Sequence, residues 1–82
     1  MTGRLNINFA MAEGAVLRML GLVERRGFEV RGISMTGSEG RGQLLLEVHP
    51  RDAERRLEVL TRQLCRLRDV RHVSFSHQDD PQ

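Results

Sequence analysis

One pattern, written twice in 82 residues, constrains this chain more than any other feature: a strand, an amphipathic helix and a strand. The first copy runs from Leu5 to Met35 and the second from Gln43 to Ser76, with a glycine-rich turn between them. Leu5, Ile7 and Phe9 alternate with Asn6 and Asn8, the period of a half-buried strand. From Gly14 to Arg26 the period becomes helical. Val16, Leu20 and Val23, widened by Leu17 and Met19, form one stripe, and Arg18, Glu24 and Arg25 fall on the wet side. Gly27 suits the position just past a helix end, where a positive φ is common. Phe28 and Val30 open a second strand whose apolar phase then slips to Ile33 and Met35. Gly32 sits at the slip and predicts a bulge that re-aims the strand.

The stretch from Thr36 to Gly42 reads as a long, mobile hairpin connection. Leu44, Leu46 and Val48 mark a third strand, and Leu45 points to its opposite face, where a lone monomer would prefer a polar residue. Pro50 and Asp52 stop that strand, with Asp52 the expected N-cap of a helix striped by Ala53, Leu57, Leu60, Leu64 and Leu67. Asp69 leads into a last strand with Val73 and Phe75 inward. Two helices with one apolar stripe each must bury them against the sheet. The class expected is α+β: a ferredoxin-like βαββαβ sandwich, a four-stranded antiparallel sheet with two helices on one face. It forms one domain over 3–77, followed by a polar tail at 78–82. The helix-free face would carry Asn6, Asn8, Leu45, Glu47, His72 and Ser74, a surface either solvated or stacked on a partner.

The charge excludes less than its pI of 9.9 suggests. All 13 basic residues are arginine and they face 11 carboxylates, interleaved as in Glu54, Arg55, Arg56 and Glu58. The net +2 persists to high pH because only the amino terminus and Cys65 titrate on the way. No basic stripe forms, and the third strand has no aromatic ring on which a base would stack, so no nucleic-acid partner is expected. No apolar run approaches the ~20 residues of a membrane span. Asn6 and Asn8 break the first apolar stretch, which argues against a signal peptide. A single cysteine fits a reducing compartment, and the expected location is cytoplasmic. His49, His72 and His77 match no metal-ligand spacing. Cys65, beside core Leu64, is expected to be a partly buried structural thiol. No nucleophile motif is present, so no catalysis is expected of this chain.

Gly14 lies where a strand hands over to a helix, and two readings stay open. The free amides of the helix start suit a carboxylate such as that of an amino acid. Equally, the glycine merely permits a tight turn.

Two stretches resemble a known family. Gly21-Leu22-Val23-Glu24-Arg25-Arg26-Gly27-Phe28-Glu29-Val30 is similar to the helix end, Arg-Gly-aromatic corner and second strand of the ACT domain, in particular the small regulatory subunit of acetohydroxyacid (acetolactate) synthase. Gln63-Leu64-Cys65-Arg66-Leu67-Arg68-Asp69-Val70-Arg71-His72-Val73 resembles that family's Leu-x-x-Leu-x-Asp-Val-x-x-Val ending. The length resembles the single-domain kind, as in isozyme II. The resemblance implies a non-catalytic subunit that binds and activates the catalytic large subunit in branched-chain amino acid synthesis. This chain then holds no cofactor, and thiamine diphosphate, Mg and FAD are expected on the large subunit. It also implies a homodimer joined through sheet edges, with an effector between one copy's first loop and its neighbour.

The effector positions carried over are Met11, Gly14, Ala15, Val16, Glu29 and Val30. Two depart from the valine-sensitive pattern. Met11 replaces an Asp or Asn and offers an ammonium group no strong acceptor. Glu29 replaces an Asn and would repel a ligand carboxylate if it pointed inward. Weak or absent valine feedback is therefore expected. The alternative reading is a freestanding ACT-type amino-acid sensor that regulates another enzyme or transporter.

Overall fold

The computed structural model describes residues 2–78 and has the expected order: β1 (Thr2–Ala10), α1 (Ala15–Arg25), β2 (Phe28–Ser38), β3 (Arg41–Pro50), α2 (Leu57–Cys65) and β4 (Val70–Gln78). The four strands form one antiparallel sheet in the order β2-β3-β1-β4. Each helix therefore connects two parallel strands with a third strand between them, two interleaved split βαβ units. The expected tail begins at Gln78, the last residue of β4; residues 79–82 lie outside the described residues.

One face of the sheet does the burying. Leu5, Ile7 and Phe9 of β1 and Leu44, Leu46 and Val48 of β3 are all essentially inaccessible. They meet Ala15, Met19, Leu22 and Val23 of α1 and Leu57, Leu60 and Leu64 of α2 in one cluster, so both helices lie on the same side. Two glycines permit this close approach. A Cβ on Gly3 would stand 2.6 Å from Leu57 Cδ2, and one on Gly42 would stand 2.5 Å from Phe9 Cζ.

Several local expectations need correcting. In α1 the buried stripe is centred on Met19 and Val23; Val16 and Leu20 are only partly covered, and Leu17 is 75% exposed. The mobile loop over 36–42 is instead a continuation of the hairpin. Its ladder runs on through Thr36↔Gln43, Gly37↔Gly42 and Ser38↔Arg41, and only Glu39 and Gly40 turn. Both have positive φ, 54° and 80°, the handedness a two-residue hairpin turn requires. Asp52 does not start α2. Its carboxylate accepts from the Glu54 amide at 3.0 Å and from Arg55 Nε at 3.3 Å, which stabilises a turn, and the helix begins four residues past Ala53, at Leu57. Ala53 is consequently exposed.

The slip in β2 is a bulge, as expected: Val30 pairs with Val48 but Gly32 with Glu47, leaving Arg31 as the extra residue. It returns Ile33 and Met35 to the helix-side phase, opposite Leu46 and Leu44. Both remain exposed: α1 packs against β2 but leaves these two positions uncovered, and Phe28 is the buried residue of the strand. Phe75 shares the same fate on β4. It pairs with Leu5 on the core side yet stays over a third exposed, packed edge-on against His77. Cys65 is exposed rather than partly buried, one position round the helix from Leu64.

The Gly42 contact gives a direct test. Gly42→Val should lower stability by about 1–3 kcal/mol in chemical denaturation, because a branched side chain forces the Phe9 ring out of its rotamer. An unchanged midpoint would show that the ring has room to move.

Candidate functional site

The corner between β1 and α1 begins where β1 loses its partners. The Ala10 amide donates to the Asp69 carbonyl at 2.7 Å, and the Met11 amide to the Gly40 carbonyl at 2.8 Å. Those two bonds pin the connector to the α2–β4 turn on one side and to the hairpin tip on the other. Gly14 then takes a left-handed conformation, φ 77°, as the N-cap of α1. Among the described residues no side chain caps the helix, and its first turn contains no acidic residue. The Ala15 amide turns back to the Ala12 carbonyl at 3.0 Å. Helix geometry leaves the amides that follow without intrahelical acceptors.

Arg18, one turn on, folds back over this end. Its Nη1 lies 2.9 Å from where a Cβ on Gly14 would stand, so the absent side chain makes room for a guanidinium. Arg18 also pairs with Asp69, whose side chain is only 13% exposed. Asp69 thus ties the exit of α2 to β1 through its carbonyl and to α1 through its carboxylate. The run Leu64 to Val70 signals a helix end followed by a strand, but the Arg18–Asp69 pair joins residues 51 apart. Only the position of Arg18 on the wet side of α1, next to the helix start, hinted at it.

The structure brings together four of the six expected effector positions. Met11, Gly14, Ala15 and Val16 line one open hollow of about 330 Å³, with Phe9 at its base. Its wall is chiefly apolar, and Met11 packs across Gly37 and Gly42 of the hairpin. Glu29 and Val30 are elsewhere. Val30 pairs with Val48, which pairs with Gly3, whereas the hollow lies beyond Ala10. That separation along the sheet is roughly 23 Å. Glu29 lies on the helix-free face opposite His49 and bonds Arg31 Nε at 3.0 Å. Within one chain the six positions therefore fall into two groups at opposite ends of β2. Among the described residues, no group of three or more His, Cys, Asp or Glu is placed to hold a metal ion. No helix among them is long and apolar enough to cross a membrane.

Replacing Asp69 with Ala should cost roughly 1–2 kcal/mol of stability and loosen the corner, since Arg18 loses its carboxylate partner there. Proton exchange at the α1 amides, read by NMR, should rise in the variant. Unaltered stability and exchange would mean that the backbone bonds hold the corner alone.

With this geometry in place, known proteins can be compared. A family model described as the ACT domain matches residues 11–73. The ACT domain from GTP pyrophosphokinase of Chlorobium tepidum superposes with a TM-score of 0.78 at 16% identity, covering 93% of this chain and 97% of that one. A formyltetrahydrofolate deformylase from Pseudomonas putida gives 0.81 at 11% identity over 95% of this chain, but only 29% of its own length. The regulatory subunit of aspartate kinase from Thermus thermophilus gives 0.65 at 18% identity, covering 92% of this chain and 50% of that one. No curated protein matches in sequence. These structural likenesses speak to the fold, a βαββαβ ACT sandwich. The family match spans well over half of the chain: this chain belongs to the ACT domain family, whose members are regulatory modules.

Proposed function

We propose that this chain is a regulatory small subunit of acetolactate synthase, which binds the thiamine-diphosphate-dependent large subunit and raises its activity without catalysing any step. The observation that carries this reading is the coincidence of its two family-like stretches with the two joints that shape the domain. Arg26-Gly27-Phe28 falls at the α1–β2 corner, where Gly27 has φ 90° and its carbonyl accepts the Arg51 amide at 2.8 Å. Leu64 to Val70 falls at the α2–β4 corner, where Asp69 ties the domain together. The large subunit would carry thiamine diphosphate, Mg and FAD. A cytoplasmic location follows from that partnership.

The separation of these two groups supports a dimer. β2 is an edge strand running in the same direction as β1, with unpaired backbone groups along its outer side. Exposed Ile33 and Met35 sit beside that edge on the helix side. Two copies joined antiparallel through β2 would bury this apolar strip. The same pairing brings one chain's Met11–Val16 hollow toward the other's Glu29 and Val30, which composes the effector site from both chains. Glu29 faces the other side of the sheet from the hollow, and Met11 offers no acceptor, so a branched-chain amino acid binds poorly or not at all.

Adding the chain to purified acetolactate synthase large subunit should raise product formation several-fold, with little change on adding millimolar valine. No activation would contradict the subunit reading and favour an amino-acid sensor for some other enzyme. Calorimetric titration of valine, leucine and isoleucine should show no micromolar binding, an affinity worth about −8 kcal/mol. Ile33→Asp, which adds charge at a position already 58% exposed, should leave the fold intact but shift the chain toward monomer in sedimentation. A dimer that survives this change would place the interface on another edge.

A further inference from the structure

At the end of the sheet away from Gly14 lies a second and larger hollow, about 550 Å³, a size that suits a small-molecule site. Its floor is apolar and fixed by the core: Phe28 of β2, Val48 of β3 and Leu57 of α2 are all buried and meet around Gly3 of β1. Val48, Gly3 and His77 are neighbours across three strands. The side chain that Gly3 lacks leaves its space to Leu57, so the floor is continuous from sheet to helix.

The segment between β3 and α2 walls this hollow without covering it. That segment is tied to the α1–β2 corner: the Arg51 amide donates to the Gly27 carbonyl at 2.8 Å, and Arg51 meets Glu24 at 4.0 Å. The Arg55 stem lies against Gly27, where a Cβ would stand 2.8 Å from its Cδ. Four polar side chains stand on the rim, Arg55, Arg56, Glu58 and His77. Arg55 is committed to Asp52, whose carboxylate accepts from its Nε at 3.3 Å. Among the described residues, Arg56 and His77 form no ion pair with a carboxylate, and Glu58 forms none with a cation. An unspent guanidinium thus stands over a preformed apolar floor.

We propose that this hollow binds a monocarboxylate with an apolar body, a hydrocarbon chain or an aromatic ring. Arg56 holds the head, and Phe28, Val48 and Leu57 receive the body. A guanidinium presents paired N–H donors that match the two oxygens of a carboxylate. The floor adds the gain from removing apolar surface of the ligand from water. Glu58 sets the limit on charge. With two guanidinia on the rim and one of them shared with Asp52, the rim balances one negative charge and not two. A phosphate dianion therefore fits poorly. The site uses none of the six expected effector positions, and it stands whether or not the chain serves acetolactate synthase.

Titration of the chain with hydrocinnamate, followed by amide chemical shifts in NMR, tests this. Saturable shifts should centre on Phe28, Val48 and the residues from Ala53 to Glu58. Hydrocinnamyl alcohol, which keeps the body, and acetate, which keeps the head, should each bind at least about tenfold more weakly. Inorganic phosphate should not compete. Arg56→Gln should weaken the acid about tenfold and leave the alcohol unaltered, a split that a loosened fold would not give. Ala53→Phe, at an exposed residue of the wall, should fill the hollow and abolish binding of both. Absence of saturable shifts, shifts centred on Met11 to Val16, or an Arg56→Gln variant that binds the acid as well as the unaltered chain would each overturn the proposal.

Discussion

Burial on a single side of the sheet is the constraint from which the other features follow. A chain of this size removes only about 60% of its unfolded surface from water, so it can complete one core and not two. Here that core is built from alternate residues of β1 and β3, the central strands, and both helices are spent covering it. Two close apolar contacts, Leu57 over Gly3 and Phe9 over Gly42, occur where glycine lets a side chain lie directly on the backbone. Phe28, Val70 and Val73 extend the core onto the edge strands, but Ile33 and Met35 of β2, Leu45 on the opposite face and Phe75 on β4 are left exposed. A domain organised this way has more surface suited to association than to independence.

The corner at Gly14 shows how such a small core is held in register. Backbone bonds from Ala10 and Met11 reach two different turns, and the Arg18–Asp69 pair closes the space between α1 and the start of β4. The helix start is consequently crowded by a guanidinium rather than left open to any anion. That arrangement favours the tight-turn reading of Gly14 within one chain, because the glycine makes room for Arg18. A ligand there would find a chiefly apolar wall of Met11, Ala15 and Val16, with no carboxylate or amide side chain to hold an amino acid's polar ends.

Much of the fold was legible because period and phase survive in short segments. Alternation in Leu5–Phe9 and Leu44–Val48 and the leucine stripe of α2 located the core strands and one helix face, and Gly32 located the bulge. What was not legible depended on contacts between distant residues or on coverage. The hairpin looked long because Thr36 to Gly42 is rich in glycine, yet two positive φ angles suffice to turn it. Asp52 has the chemistry of an N-cap, but its carboxylate is satisfied within a local turn. Ile33 and Phe75 have the correct phase for burial, and no periodicity reveals that the helices leave these two positions uncovered. Of the candidate site, the local group Met11 to Val16 was readable from sequence; the distance to Glu29 and Val30 is set by the sheet order.

Hydrogen exchange on the chain alone and in an equimolar mixture with the acetolactate synthase large subunit tests most directly whether the uncovered surfaces serve a catalytic partner. The account predicts unchanged protection in β1 and β3, whose bonds are complete already, and new protection outside that core when the large subunit is present. Identical exchange profiles with and without the large subunit would contradict it.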